Sequence, residues 1–226
     1  MRVLAVPVKA LERSKRRLAS VLSPADRAAL TLVMLEDVLD ACLPQPDWAV
    51  WVFSQSEAAL EIAARRGARP LHDRTDTLLR SIGQVEKELP GRWSRLAILL
   101  GDLPLITPDA LASALTQPAA VVAVPAESDG GTNLLVRRPP AIIPARFGRA
   151  SFAKHRAEAY RAGVSFYEAR IPELSFDLDR PADLVRVLAS DHRCRTRSAC
   201  LEMGLLERLE VRLSTGFGLS ADRGRP

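Results

Sequence analysis

One stretch near the middle of the chain constrains the fold more than any other. Five consecutive apolar residues, Leu96 to Leu100, are followed at once by Gly101 and Asp102. A run of that length is typical of a strand buried on both faces, and the glycine ends it. We therefore expect the Asp102 carboxylate at the carboxyl end of a buried strand. In open α/β sheets, that edge is where ligands bind.

The order of the elements around this stretch predicts the architecture. Strands alternate with helices through the first 125 residues, as in parallel strands joined by crossover helices. The predicted strands are 2–8, 48–53, 68–71, 96–100 and 120–124, and the predicted helices start after Ser23, at Ala58, at Asp76 and at Pro108. Ser23-Pro24 and Thr107-Pro108 each combine an N-cap residue with a proline at the first helical position. The sequence thus predicts an α/β protein with a mostly parallel sheet and helices on both faces.

Beyond Pro125 this alternation breaks down. The sequence there predicts strands at 134–136, 165–170 and 174–178, a helix capped by Ser151 and ended by Gly163, and a helix starting at Pro181. From Ser190 onward the chain is basic and then rich in Gly, Arg and Ser, which is typical of an appendage that packs loosely or frays. We therefore divide the chain into a domain of residues 1–189 and a basic appendage of residues 190–226, with a short helix predicted at 201–213.

Composition narrows the range of partners. The chain has 32 Lys and Arg residues against 27 Asp and Glu, a net charge of +5 that suits anionic ligands. Its arginines are spread over nearly every segment, so we expect no nucleic-acid partner. No apolar run approaches the roughly eighteen residues of a membrane span and no leader sequence is recognised, so we expect no membrane partner. Three cysteines without framework spacing indicate a reducing compartment, the cytoplasm.

Two groups of charged residues fall where strands are predicted to end. The loop after the first strand suits phosphate groups, with a solvated helix face as the alternative, and its cations are Lys9, Arg13, Lys15, Arg16 and Arg17. Asp177 and Asp179 are two residues apart, so in a strand both emerge on one face. With Asp102 they supply the hard oxygen ligands that Mg²⁺ prefers, although each acid by itself fits an ordinary solvated loop. The combination favours chemistry on a nucleoside triphosphate.

A series of short motifs runs through the chain. They are Pro7-Val-Lys9, Ser14-Lys15 with Leu18, Gly101-Asp-Leu-Pro104, Asp129-Gly-Gly-Thr-Asn133, Phe147-Gly148, Ser151-Phe152 with His155, and Asp177-Leu-Asp179 with Pro181 and Asp183. Their content and order resemble the guanylyltransferases of coenzyme F-420 biosynthesis. Enzymes of that family join GMP from GTP to a phosphorylated three-carbon acid, which is phosphoenolpyruvate, 2-phospho-L-lactate or 3-phosphoglycerate. The resemblance covers residues 1 to about 189 and implies a Rossmann-like nucleotidyltransferase fold.

The resemblance also implies a role for each motif, with GTP and a small phosphorylated acid as the partners. Asp102 and Lys15 would be the catalytic residues, and Mg²⁺ would be the cofactor, held by Asp102, Asp177 and Asp179. The nucleotide would be bound by Lys9, Ser14, Lys15 and Gly101. The acid would be bound by Thr132 or Asn133 together with Gly148 and Ser151. This chain departs from the family in one motif, which in the family is expected to contact the guanine base or the ribose. Many members carry Gly-Leu-Asn near the start of the third helix, where this chain has Thr77-Leu78-Leu79.

Two other functions fit parts of the pattern: a nucleotidyltransferase for a sugar phosphate or molybdopterin, and a basic nucleic-acid-binding module. A phosphate monoester is mostly dianionic at neutral pH, so a nucleotidyl transfer to it needs no general base. We therefore interpret His155 as a packing or surface residue and His72 as structural. His192, Cys194 and Cys200 lack the spacing of a zinc site. The irregular stretch 125–144 is the expected surface of a homodimer.

Overall fold

Seven strands form one sheet at the centre of the protein, seen here in a computed structural model that describes residues 2–75, 77–88 and 94–214. The strands are β1 (Arg2–Val8), β2 (Trp48–Ser54), β3 (Arg69–His72), β4 (Arg95–Leu99), β5 (Val121–Pro125), β6 (Thr132–Arg137) and β7 (Phe166–Glu168). Their spatial order is β3-β2-β1-β4-β6-β5-β7. All neighbouring pairs are parallel except the two that involve β6, which runs antiparallel to β4 and β5. The predicted, mostly parallel sheet is confirmed.

Helices cover both faces of this sheet, as predicted. They are α1 (Pro24–Cys42), α2 (Glu57–Arg66), α3 (Leu78–Glu88), α4 (Pro108–Leu115), α5 (Ser151–Arg161), α6 (Pro172–Ser175), α7 (Pro181–Ala189), α8 (Arg195–Glu202) and α9 (Leu205–Ser214). Side chains of a strand alternate between the two faces. Leu4 and Val6 of β1 therefore pack in the core that contains α1, α2 and α4, whereas Val3 and Ala5 pack in the core that contains α3 and α5.

Local sequence signals account for several helix boundaries. Ser23 and Asp26 form a reciprocal capping box at the start of α1, and Thr107 caps α4 through the backbone N–H of Ala110. Gly67 ends α2 in the left-handed conformation, with φ of 86°. The predicted ends of α3 at Asp76 and Leu89 lie outside the described residues.

The prediction of a strand at 174–178 is wrong. Pro172 starts the short helix α6, because proline fits the first helical position, and the chain then continues in extended form without joining the sheet. Ser151 is also the first residue of α5 and not its cap, since Ala150 occupies the cap position with φ of 54°. The stretch 125–144 contains β6 in the middle of the sheet, so that part of it is not an outer surface.

A third core joins the segment after Ser190 to α1 and α7. Cys200 and Leu205 are completely buried in it, beside Leu30 and Met34 of α1. Asp37, only 6% exposed, accepts hydrogen bonds from the backbone N–H groups of Arg195 and Thr196 at 2.8 and 2.9 Å, which are at the start of α8. The expected loose packing is therefore wrong for residues 195–209, while residues 215–226 lie outside the described part of the chain.

No helix within the described residues is long and apolar enough to cross a membrane.

The contact between Asp37 and α8 predicts a measurable loss of stability. Asp37→Ala leaves two backbone N–H groups and the buried Thr196 hydroxyl without their acceptor, so we expect a decrease of about 2–3 kcal/mol in the free energy of unfolding, measured by urea denaturation. Asp40→Ala is the matched control, because Asp40 lies on the same helix but forms only half-exposed ion pairs with Arg66 and Arg195. A decrease of the same size in both variants would contradict the anchoring role of Asp37.

Candidate functional site

The candidate site lies at the carboxyl ends of β1 and β4, which are neighbours in the middle of the sheet. The loop after β1 contains Lys9 and Lys15, and the loop after β4 contains Gly101 and Asp102. A Cβ atom on Gly101 would lie 3.2 Å from the carbonyl oxygen of Pro7, so a side chain there would crowd the adjacent strand end. The two loops therefore approach closely, and a cleft lined by Lys9, Ser14, Lys15, Gly101, Asp102 and Asp179 lies between them.

The loop after β1 is folded tightly around Lys15. Two 3-10 turns, Leu11–Arg13 and Arg16–Leu18, flank it, and Lys15 has a left-handed backbone with φ of 47°. Ser14 donates its hydroxyl hydrogen to the carbonyl of Leu11 at 2.7 Å, and Leu18 is completely buried in the third core. A left-handed conformation costs about 1–2 kcal/mol for a residue other than glycine, so these contacts maintain it. The side chain of Lys15 is thereby directed toward the end of β4.

An ion triad forms where the two loops meet. The ammonium of Lys15 lies 2.7 Å from Oδ2 of Asp102 and 2.8 Å from Oδ1 of Asp179, and the Lys15 side chain is only 5% exposed. Burial by itself would lower the pKa of Lys15, but the charges of Asp102 and Asp179 outweigh burial and raise it. The same contact lowers the pKa of Asp179 against the opposing effect of its own burial. Lys15 and Asp179 therefore both stay charged at neutral pH.

Asp177 adds a third carboxylate beside this triad. Its burial, together with the charges of Asp102 and Asp179, raises its pKa to about 6. Ser128 donates a hydrogen bond to it at 3.2 Å. Oδ1 of Asp102 is buried and has no hydrogen-bond partner among the described residues. The site thus holds more negative charge than Lys15 neutralises, which is the charge balance of a cation-binding site.

The carboxylates reach this position by a route that differs from the predicted strand. Asp177 and Asp179 lie in the extended segment after α6, where the backbone N–H of Leu178 donates to the carbonyl oxygen of Asp102 at 3.1 Å. Asp183 accepts hydrogen bonds from the backbone N–H groups of Asp179 and Arg180 at 2.8 and 2.6 Å. Asp183 therefore fixes the backbone that presents Asp179, a role that no local sequence pattern indicates.

A second group of polar side chains lies where β6 begins. Ser151 donates to Oγ1 of Thr132 at 3.0 Å, and Oγ1 of Thr132 lies 3.0 Å from Nδ1 of His155. Nε2 of His155 accepts the backbone N–H of Arg146 at 2.8 Å. These three side chains are at most 2% exposed. The expectation that His155 is a packing residue is correct for its burial against Phe147 but does not account for its two hydrogen bonds.

The remaining predicted residues have different surroundings. Gly148, with φ of 119°, adopts a conformation that favours glycine, and its carbonyl oxygen accepts from the backbone N–H of Ser151. Asn133 donates its side-chain amide to the carbonyl oxygens of Leu174 and Ser175 at 3.0 and 3.1 Å. It thus connects β6 to α6 and faces away from Thr132 along the strand.

The structure therefore brings the predicted residues together in two neighbouring groups. The charged group consists of Lys15, Asp102, Asp177 and Asp179. The second group, here called the hydroxyl cluster, consists of Thr132, Ser151 and His155. They adjoin because Ser128, which contacts Asp177, belongs to the loop that leads into Thr132. The side chain of Arg13 lies outside the described part of the chain.

Within the described residues, no group of three or more His, Cys, Asp or Glu side chains is already arranged around one metal position. The ammonium of Lys15 lies between Asp102 and Asp179 instead.

The burial of His155 predicts a pH-dependent stability. Burial, followed by the charges of Arg137 and Arg146, lowers its pKa from 6.5 to about 4. The unfolded chain therefore binds a proton more readily than the folded chain, and this contribution to stability decreases as the pH falls from about 6.5 toward 4. We expect the His155 contribution, which is the difference in the free energy of unfolding between the wild type and His155→Gln, to fall by roughly 2 kcal/mol between about pH 7 and about pH 5. The raised pKa of Asp177 acts in the opposite direction, but it does so in both proteins.

Urea denaturation at the two pH values measures this loss. His155→Gln should lack it, whereas Tyr160→Phe, an exposed change on the same helix, should retain it. Identical pH dependence in the wild type and His155→Gln would contradict the assignment.

Several named proteins are similar to this chain in sequence. A phosphoenolpyruvate guanylyltransferase from Sphaerobacter thermophilus is 40% identical over 188 residues, which cover 80% of this chain and 90% of the relative. Another, from Rubrobacter xylanophilus, is 39% identical over 190 residues, with coverage of 82% and 92%. A 3-phospho-D-glycerate guanylyltransferase from Phenylobacterium zucineum is 35% identical over 184 residues, with coverage of 77% and 84%.

Solved structures support the fold. A nucleotide-diphospho-sugar transferase structure from Desulfovibrio desulfuricans has a TM-score of 0.74 at 18% identity and covers 92% of this chain and 96% of its own. A Methanothermobacter nucleotidyl transferase has a TM-score of 0.62 at 16% identity, with coverage of 83% and 95%. The predicted Rossmann-like nucleotidyltransferase fold is thereby confirmed. Since the family model "Guanylyl transferase CofC like" matches residues 1–207, and the relatives extend over most of the chain, this protein belongs to the CofC-like guanylyltransferase family.

Proposed function

We propose that this protein transfers GMP from GTP to a phosphorylated three-carbon acid and releases pyrophosphate, as a step in coenzyme F-420 biosynthesis. The observation that carries the proposal is that Lys15, Asp102, Asp177 and Asp179 form a charged group, which Ser128 and its loop connect to the buried hydroxyls of Thr132 and Ser151. A phosphate oxygen of the acid forms the new bond to the α-phosphorus of GTP, and the bond between the α- and β-phosphates breaks. Because the attacking phosphate is already mostly dianionic, no general base is needed.

The main barrier to this reaction is the repulsion between two anions. At 4 Å and an effective dielectric constant typical of protein surfaces, each pair of like unit charges costs about 4 kcal/mol. Lys15 supplies a permanent positive charge in the cleft, and Lys9 supplies a second one at its edge. Holding the reactants in line between these cations lowers the barrier further, because alignment accounts for much of phosphoryl-transfer catalysis.

The nucleotide would lie in the cleft between the loops after β1 and β4. Ser14, Lys9, Lys15 and Gly101 line it. The absence of a side chain on Gly101 lets the loop after β4 lie close to the end of β1. Ser14 donates its hydroxyl hydrogen to Leu11 but retains acceptor lone pairs, which suit a donor of the nucleotide such as a ribose hydroxyl.

The acid would bind at the hydroxyl cluster. Thr132, Ser151 and Gly148 lie together there, at the first residues of α5, where the helix dipole favours anions. Of the two residues offered by the sequence, Thr132 suits this role better than Asn133, because the amide of Asn133 already donates to Leu174 and Ser175.

The carboxylates also fit Mg²⁺, a hard cation that prefers oxygen ligands. The unpartnered, buried Oδ1 of Asp102 and the excess negative charge around Asp177 support this assignment, and Asp102, Asp177 and Asp179 would hold the ion. When bound, Mg²⁺ supplies positive charge that stabilises the phosphoryl group in transfer and the leaving pyrophosphate.

Phosphoenolpyruvate is the acid we favour, since relatives at up to 40% identity carry that name. One relative is named for 3-phospho-D-glycerate, so the acceptor is the finer part of the proposal. We place the reaction in the cytoplasm, with which the buried, unpaired thiols of Cys42, Cys194 and Cys200 are compatible.

A substrate panel tests the proposed function. Purified protein is incubated with Mg²⁺, GTP and one of phosphoenolpyruvate, 2-phospho-L-lactate or 3-phosphoglycerate, and mass spectrometry records the products. We expect a guanylylated acid together with pyrophosphate, most rapidly with phosphoenolpyruvate. The same panel with ATP, CTP and UTP measures nucleotide preference, in view of Thr77-Leu78-Leu79. Turnover of a sugar phosphate and of none of the three acids would favour a different nucleotidyltransferase.

Asp102→Asn tests the charged group. The change removes the carboxylate that contacts Lys15 and bears the unpartnered Oδ1, so we expect turnover to fall by about 10³-fold or more, measured as pyrophosphate release. The same variant should lose most of the rise in melting temperature that millimolar Mg²⁺ causes in the wild type. Asp109→Asn, an exposed acid seven residues along the chain, should leave both measurements unchanged. Full activity of Asp102→Asn would remove the metal assignment.

A further inference from the structure

The hydrogen bonds of His155 determine which of its nitrogens carries a proton. Its Nε2 lies 2.8 Å from the backbone nitrogen of Arg146, and a backbone N–H group is only a donor. Nε2 must therefore accept, and a neutral imidazole then carries its single hydrogen on Nδ1. That hydrogen faces Oγ1 of Thr132 at 3.0 Å, so His155 donates to Thr132.

The tautomer of His155 determines how many hydrogens remain free in its hydrogen-bond network with Thr132 and Ser151. Two contacts, His155 to Thr132 and Ser151 to Thr132, involve three hydrogens: that on Nδ1 and the two hydroxyl hydrogens. The histidine supplies one contact and a hydroxyl supplies the other. One hydroxyl hydrogen of the Thr132–Ser151 pair is therefore left without an acceptor among the described residues. With the opposite tautomer, Thr132 would donate to His155, Ser151 would donate to Thr132, and no hydrogen would remain.

His155 also connects the two parts of the chain that form the hydroxyl cluster. Thr132 belongs to β6, whereas Arg146 starts the loop that contains Gly148 and leads into α5. The side chain of Arg146 pairs with Glu158 of α5 at 2.9 Å, which holds the same loop from outside. The imidazole is thus the buried connection between the strand and the loop.

We propose that His155 is a positioning residue that presents the Thr132–Ser151 hydroxyl pair as a hydrogen-bond donor to an anionic oxygen of the acceptor acid, without touching the acid itself. The inference rests on the proposed function for its ligand. A buried hydroxyl that keeps one free hydrogen suits a carboxylate or phosphate oxygen, because hydrogen bonds to charged acceptors are stronger than neutral ones. The opposite tautomer would leave no hydrogen for such an oxygen, so the tautomer of His155 favours an anionic ligand.

The first test observes the tautomer in the wild-type protein. Nitrogen-15 NMR of histidine-labelled protein should find His155 neutral, with Nδ1 protonated and Nε2 unprotonated, from about pH 8 to about pH 6. The assignment uses the His155→Gln spectrum, from which that signal is missing. A proton on Nε2 would overturn the inference whatever the enzyme's activity.

The second test separates positioning from general structure. Gln in place of His155 is long enough to accept the N–H of Arg146 but does not restore the Nδ1–H donor. We expect the KM for the acid to rise about tenfold in His155→Gln, while the KM for GTP and kcat change by less than about twofold, which corresponds to the loss of one hydrogen bond. Tyr160→Phe, on the exposed side of the same helix, should change none of these constants.

A double-mutant cycle shows whether His155 acts through Thr132. Thr132→Val should raise the KM for the acid by itself, and adding His155→Gln to Thr132→Val should then raise it no further. Additive effects would indicate an independent structural role and overturn the inference. An unchanged KM in His155→Gln would also overturn it and leave the proposed function intact, whereas a wild type that guanylylates none of the acids would overturn the proposed function first.

Discussion

At the edge of the sheet where β1 and β4 end, the structure depends on the neutralisation of clustered carboxylates. Asp102 and Asp179 both contact the nearly buried ammonium of Lys15, and Asp177 lies close enough for their charges to raise its pKa. Without a cation, each close pair of carboxylates would repel by several kcal/mol, an amount comparable with the net stability of a domain. The left-handed backbone at Lys15 is the local strain that accompanies this arrangement. Folding and ligand binding therefore depend on the same local charge balance.

The direction of one strand determines what lies beside that cluster. β6 runs antiparallel to β4, with Leu134 opposite Leu99, so the beginning of β6 lies at the edge where β4 ends. A parallel strand in this position would place its carboxyl end there instead. Thr132 consequently faces the region next to Asp102 although it starts a strand. The two sites proposed for the anionic substrates would thus be adjacent because the sheet is mixed and not wholly parallel.

Much of the fold could be predicted from the sequence, because its signals are local. The bounds of β1 and α4 agree with the apolar run at Arg2–Val8 and with the Thr107-Pro108 cap. The position of Asp102 followed from one apolar run and one glycine. The conformation of 174–179 could not be predicted in the same way, since alternating residues suggest a strand whereas Pro172 starts a helical turn, and only packing against Asp102 decides between them. The roles of Asp183 and His155 also depend on long-range contacts, which no local pattern encodes.

The two halves of the site use electrostatics in different ways. Around Lys15, full charges are retained by pairing, which preserves their attraction for phosphate groups and metal ions. Around His155, burial keeps the imidazole neutral, and the nearby cations Arg137, Arg146 and Lys154 favour the same state while Glu158 opposes it. A protonated imidazole would add an attractive charge for an anion, but Nε2 would then carry a hydrogen that faces the N–H of Arg146, and the loop would lose its contact. A neutral His155 can therefore accept the N–H of Arg146, donate to Thr132 and leave one hydroxyl hydrogen of the Thr132–Ser151 pair free.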